Sequence, residues 1–436
     1  MVQFTYKEVL AAHEVIREFV HLTPVVTSTY FNHLTGRSIF FKTENFQKTG
    51  SFKARGALNA VHCLKEKGGD GVITHSSGNH GAALAYAAAT FHLPCHVVCP
   101  ENAPKSKIQA IQGYGAEITF CQPTMVDRIN TCNELMAEKH LALVHPHDDY
   151  AVMAGQGTMG LELLEQVPDL DAIVVPTGGG GMLSGIATFV KHTKPECKIF
   201  AVEPVGKDLA PSLHAGTPLW PDPPGVVDTV ADGLRVQRLG SRCLPVASQL
   251  CEPTVFSVTN DDIMNAMKLV YQRLKLVIEP SSAVGVAAIL QNNFQDLHES
   301  IRNVAVILCG NKMVQFTYKE VLAAHEVIRE FVHLTPVVTS TYINHLAGRS
   351  IFFKTENFQK TGSFKARGAL NAVHCLKEKG CDGVVSFTGL ALPNCHPCWT
   401  TRSEPVSDDS EPDRLGGVAD RLDREDKIDR RMDGQK

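Results

Sequence analysis

Through residue 312 the chain alternates short apolar runs with amphipathic stretches, the pattern of strands interleaved with helices. Strands are expected at 72–75 (VITH), 95–99 (CHVVC), 117–121 (EITFC), 172–176 (AIVVP), 198–202 (KIFAV) and 303–308 (NVAVIL). Helices are expected at 80–92 (HGAALAYAAATFH), 104–113 and 261–276, where apolar residues recur at spacings that present one face to a sheet. Most strand runs lack strict alternation, as expected when helices cover both faces. An α/β fold with parallel-rich sheets flanked by helices is the result.

The pattern then starts again. Residues 313–385 reproduce 1–73 at a constant offset, differing only where Phe31 becomes Ile343, Thr35 becomes Ala347, Gly69 becomes Cys381 and Ile73 becomes Val385. One long segment recurring once is a duplicated stretch and not a solenoid, whose short units stack in series. Three parts are expected: a nearly complete globular unit at 1–312, a partial second copy at 313–385, and a charge-rich, nearly aromatic-free tail at 386–436 read as disordered.

Composition narrows the function classes. Of 436 residues, 44% are hydrophobic and 20% charged, which is ordinary for a globular chain, and the net charge of -4 carries no basic stripe, so nucleic acid is excluded as a partner. The N-terminus lacks an uninterrupted apolar core, so no secretory signal is expected, and no run is long and apolar enough to span a bilayer. Thirteen scattered cysteines read as small buried residues in a reducing compartment, and a cytoplasmic location is expected. Cys395 and Cys398 form half of a zinc pattern, with no second pair after them.

The chemistry lies in the turns. SSGNHG at 76–81, TGGGGM at 177–182 and CGN at 309–311 each come after an expected strand, where open α/β sheets gather loop amides and helix N-termini around a ligand. Lys53, in KTGSFKARGA at 48–57, could form a Schiff base with an aldehyde once burial lowers its pKa. Alone, a glycine run also fits a flexible turn, and a lysine also fits a solvated surface. The repeat places Lys365 in an identical frame at 360–369 without any of the loops downstream.

In this order and spacing, KTGSFKARGA, SSGNHG, GQGT at 155–158 and TGGGGM resemble the serine racemase and serine/threonine dehydratase family, pyridoxal phosphate enzymes of the tryptophan synthase β fold. The resemblance covers about 1–311. It implies a large domain made of 1–68 and 149–312, a small mobile domain at 69–148, and a site in the cleft between them. It further implies that Lys53 carries the cofactor and moves the α-proton on one face, with Ser77 as proton donor on the other. Asn79 would bond the phenolic oxygen, Gly178, Gly179, Gly180, Gly181 and Met182 would enclose the phosphate, Phe52 and Gly233 would flank the ring, and Cys309 would sit beside the ring nitrogen as a neutral partner. The substrate, a small amino acid, would rest on Ser76, Ser77, Asn79, His80 and Arg128.

Activators implied by the resemblance match only in part. ATP-contacting positions correspond to Ser28, Thr29, Lys48, Thr49, Tyr114 and Lys275, whereas Ala82 and His147 replace polar residues. For Mg2+ or Ca2+, Glu203 matches the first carboxylate but Leu209 takes the place of the second, with Asp208 one residue away. Ser77 favours racemisation, since many simple dehydratases carry Ala there; capping of the adjoining helix is its alternative role. Val236 and HPHDD at 145–149 favour a dehydratase. The expected activity is interconversion of L- and D-serine with accompanying elimination to pyruvate and ammonia, in a homodimer. A dehydratase without useful racemisation is the enzymatic alternative. A non-catalytic regulatory subunit or mis-joined gene product is the other, because the 309–311 turn has one glycine fewer than the family and could be loosened.

Overall fold

The computed structural model describes residues 4–76 and 78–310, together with isolated residues and two short strands beyond them. The chain divides into two compact units, Met1–Phe316 and Thr317–Lys436. The first unit holds ten strands: β1 Val25–Thr27, β2 Ser38–Thr43, β3 Val72–Thr74, β4 Cys95–Pro100, β5 Glu117–Cys121, β6 Ala142–Leu143, β7 Ala172–Pro176, β8 Lys198–Pro204, β9 Val255–Val258 and β10 Asn303–Leu308. They form a six-stranded sheet in the order β1-β2-β10-β7-β8-β9 and a four-stranded sheet in the order β5-β4-β3-β6. Every pairing is parallel except β1 with β2 at one edge.

The apolar runs are explained by burial on two sides. Ile173 and Val175 of β7 join one core with Ile199, Ala201 and Ile307, while their neighbours Ala172 and Val174 join another with Phe200, Val202 and Val306. Consecutive side chains point to opposite faces, so both faces demand apolar residues. The six expected strands all form. β1, β2, β6 and β9 were not expected, since strands of two to four residues give too few positions for a pattern, and the longer β2 carries a fully buried lysine.

Three helices aim the catalytic candidates. Lys53 opens the helix Lys53–Glu66, which packs against Tyr150–Gln166, which in turn packs against Gly181–Thr193. The close approach needs the glycines of GQGT: a Cβ on Gly155 would stand 2.4 Å from the Arg55 carbonyl oxygen, and one on Gly157 would stand 2.7 Å from that of Gly185. That motif therefore joins helices. Beneath Lys53, the fully buried Arg55 pairs with Glu44 at 2.8 Å and with Glu162 at 2.6 Å, and Lys42 reaches Glu162 at 2.5 Å. Burial works to raise the Glu44 pKa, but the Arg55 guanidinium, with Lys42 and the Thr23 hydroxyl, outweighs it and holds the carboxyl below its ordinary range. This paired cluster fastens β2 to two helices at the base of the site.

In the second unit, β11 Val337–Thr339 pairs antiparallel with β12 Phe352–Lys354. Lys365, most of the expected copy at 313–385, the 386–436 tail with Cys395 and Cys398, and Asn311 lie outside the described residues, as does Ser77.

Candidate active site

Lys53 stands half-buried at the first turn of its helix, and its Nζ donates to the Pro146 carbonyl at 2.5 Å. Burial lowers its pKa to about 8, against opposing contributions from Cys309 and Cys243. Its neighbours do not restore the charge. His80, His145 and His147 lie close enough for the lysine to lower their own pKa values, and burial, the larger cause, brings His80 to about 3 and His145 to about 4. Around neutral pH these imidazoles are uncharged, so Lys53 meets a carbonyl and neutral rings instead of a carboxylate.

The glycine loop comes after β7 and opens the helix Gly181–Thr193, with Gly180 at φ +93 as its N-cap. Side chains are excluded on two sides. A Cβ on Gly178 would stand 3.0 Å from the Gly233 carbonyl oxygen, and one on Gly179 would fall 2.2 Å from the His147 ring. Bare backbone at the start of a thirteen-residue helix suits a phosphate dianion. Gly233 thus abuts this loop, and its N–H donates to Ser281 Oγ at 2.9 Å; Met182 is buried in the adjoining core.

At the carboxyl end of β10, the Cys309 thiol accepts the Phe52 N–H at 3.3 Å, and its own N–H donates to Ser282 Oγ at 2.7 Å. Burial drives the thiol pKa far up, so it stays protonated. Gly310, at φ +74, has Glu279 where a Cβ would go, and the Glu279 N–H donates to the Gly310 carbonyl at 3.0 Å. Through Gly310 the turn is held by Glu279, Ser282 and Phe52.

The loop at 76–81 turns tightly after β3, and a Cβ on Gly81 would collide with the Ser76 carbonyl. The helix Asn79–Phe91 has Gly78 as its N-cap. Asn79 Nδ2 donates to Glu279 Oε2 at 2.9 Å. His80 is buried, with its Nε2 3.0 Å from the Val144 carbonyl. Arg128 lies near enough to His75 to lower the pKa of that burial-shifted ring.

Three participants escaped the sequence reading. Glu279 links Asn79 to Gly310, His147 packs against Gly179, and Asp148 accepts the N–H groups of Ser241 at 3.0 Å and Arg242 at 2.8 Å ahead of the helix Cys243–Leu250. Asp149 next to it caps Tyr150–Gln166, so HPHDD fastens His147 by two helix starts.

The activator positions divide. Tyr30, next to Ser28 and Thr29, receives Arg273 over its ring at 4.2 Å, which brings that turn beside the Lys275 segment. Lys48 and Thr49 pack instead against the helix Asn79–Phe91, where Tyr114 meets Tyr86 at 5.6 Å. The six positions therefore form two groups. At the expected cation position both Glu203 oxygens accept hydrogen bonds, from the Leu209 N–H and from Ser257 Oγ–H at 3.0 Å each, Asp208 is exposed, and no group of three acidic, histidine or cysteine ligands forms among the described residues.

Comparison with known proteins gives this geometry a family. The sequence profile described as "Pyridoxal-phosphate dependent enzyme" matches residues 16–310 and again 328–389. Serine racemase of Homo sapiens is 46% identical over 315 residues, 71% of this chain and 91% of that protein. The β-hydroxyaspartate dehydratase of Paracoccus denitrificans is 45% identical over 290 residues, 66% of this chain and 90% of that one. A crystal structure of a pyridoxal 5'-phosphate-dependent aspartate racemase superposes with TM-score 0.70 at 44% identity, covering 72% of this chain and 97% of its own.

Proposed function

Because the chain belongs to the pyridoxal-phosphate dependent enzyme family, we propose that it interconverts L- and D-serine and also eliminates water from serine to give pyruvate and ammonia. One observation carries the reading: a lysine with a pKa near 8 at a helix start, grouped with a side-chain-free glycine loop and a neutral thiol. These residues fit the cofactor, which when bound supplies an electron sink for the substrate α-carbon.

In this reading Gly178, Gly179, Gly180, Gly181 and Met182 hold the phosphate, Phe52 and Gly233 flank the ring, and Asn79 turns from Glu279 to the phenolic oxygen. Cys309 keeps the ring-nitrogen side uncharged. The substrate carboxylate rests on main-chain N–H groups of 76–81, with Arg128 ordering the same side. Lys53 Nζ removes the α-proton from one face and Ser77 returns one to the other, while the lobe at 69–148 closes to exclude water. Elimination needs only that the leaving hydroxyl be protonated as it departs. A homodimer in the cytoplasm completes the proposal; the nine described cysteines are all free, and no described helix is long and apolar enough to cross a membrane.

A dehydratase without useful racemisation is the second reading, favoured by the HPHDD segment against Gly179 and by the dehydratase relative. Incubation with L-serine and pyridoxal phosphate, with D-serine and pyruvate measured separately, decides between them. Both products are expected, pyruvate alone selects the dehydratase, and neither product together with no visible cofactor band selects a non-catalytic chain.

A further inference from the structure

A second lysine is buried away from the cleft. Lys207 lies just after β8 and is 0% exposed, its Nζ donates to the Val236 carbonyl, and its own carbonyl accepts the Trp220 indole N–H at 2.8 Å. A buried ammonium is costly without an opposing charge: burial lowers the Lys207 pKa to about 8 and raises that of Glu203, four residues earlier and 3% exposed, to about 7, and each group partly offsets the shift of the other.

What Lys207 grips leads back to the site. Val236 bridges Val226 in a strap that carries Gly233 against Gly178 and ends at Gly240, whose N–H donates to the Gly179 carbonyl at 3.0 Å. One ammonium therefore anchors the strap that braces the glycine loop from outside. The surroundings reject a divalent ion: Leu209 is buried and offers only its N–H, Asp208 faces solvent, and a dication would meet the Lys207 charge in a medium that screens it poorly.

We propose that Lys207 is a resident cation, a positioning residue that secures the 226–240 strap where a divalent ion beside Glu203 would otherwise do so, and that the enzyme consequently works without divalent metal. The inference rests on the proposed activity only where turnover is measured, because melting reads it independently.

The test uses the full-length holoenzyme stripped with EDTA and returned to buffer with or without Mg2+ or Ca2+. Melting temperature and serine turnover of the unaltered protein are expected to be indifferent to the ion. K207A should melt lower and hold pyridoxal phosphate roughly tenfold more weakly, a loss typical of groups that orient a site from behind. K207A/L209D should acquire a rise in melting temperature with either ion, whereas L209D alone should not, because the ammonium still fills the place. An unaltered protein that loses turnover or melting temperature in EDTA and regains it with ion overturns the proposal. So does an ion response from L209D, or a folded double variant that ignores both ions. If K207A does not fold, the EDTA comparison and L209D still decide.

Discussion

Two regions of this molecule share nearly the same sequence, 1–73 and 313–385, and the described parts of both show how far identical sequence carries identical structure. Val25 pairs with Lys42 in the first and Val337 with Lys354 in the second, the same register at an offset of 312. Arg17 meets Glu14 at 3.2 Å, and Arg329 meets Glu326 at 2.9 Å. The copies part where a partner comes from farther along the chain. Phe19 packs edge-on against Phe91 at 5.4 Å, while Phe331 is 56% exposed, and the repeat stops before any equivalent of Phe91. Pairs three residues apart and the hairpin are written locally; an active site is not. Pro146, the glycine loop and Cys309, which condition Lys53, have no counterpart after residue 385.

The sharpest break of this comparison is at the two lysines. Lys53→Ala should remove serine turnover by roughly a thousandfold or more, the scale of losing both nucleophile and base. Lys365→Ala should leave it within about twofold, because nothing downstream of the repeat can hold a cofactor. A chromatographic assay of D-serine and pyruvate, with the visible spectrum of each protein, checks both; loss of turnover in Lys365→Ala would make the copies functionally equal.

Next in size is the buried arginine. Arg55→Met strands Glu44 in the core, leaves Glu162 with Lys42 alone, and should destabilise the first unit by about 3–5 kcal/mol in urea unfolding. Arg367→Met, in the copy that ends before any equivalent of Glu162, should cost less than Arg55→Met. Equal losses would mean that the second copy builds the same charge cluster.

The legible and the illegible divide along the same line. Apolar runs announced β3, β4, β7, β8 and β10, because burial on both faces is visible residue by residue, and β5 by its short β-rich run, although this edge strand leaves Glu117 and Phe120 exposed. Glycine-rich turns at strand ends announced the site. GQGT was visible too, though its glycines seat helices against each other. The features that could not be read were decided by distant contacts: Asp148 meets Ser241 93 residues away, and Asn79 meets Glu279 200 residues away. VGKDL at 205–209 looks like an exposed turn, and only the strap laid over it buries Lys207. A sequence shows a residue's own preference, whereas these roles belong to pairs.

A smaller effect sharpens the contrast around Lys53. Its pKa of about 8 lies below the ordinary 10.5, so the free amine appears as pH rises through about 8 instead of two units higher. Apoenzyme mixed with pyridoxal phosphate should gain its visible band roughly tenfold faster at about pH 9 than at about pH 7, in proportion to the neutral fraction. Stopped-flow absorbance measures this. A rate still climbing steeply past pH 9 would return Lys53 to an ordinary lysine and remove its distinction from the copy.

The smallest expected effect is the most direct measure of the second copy's contribution. A chain stopped after residue 316 retains every described residue of the first unit, including the turn that Glu279 and Ser282 hold at Cys309 and Gly310. No residue assigned to cofactor or substrate lies beyond it. Its turnover and cofactor affinity should therefore match the full chain within about twofold, a difference of less than about 1 kcal/mol. A larger drop, with melting temperature unchanged, would mean that the repeat supports catalysis through contacts its sequence does not advertise; a drop in both would assign it to stability. Because β10 is central to its sheet, with β2 and β7 on either side, the strand that delivers Cys309 is secured from within the first unit.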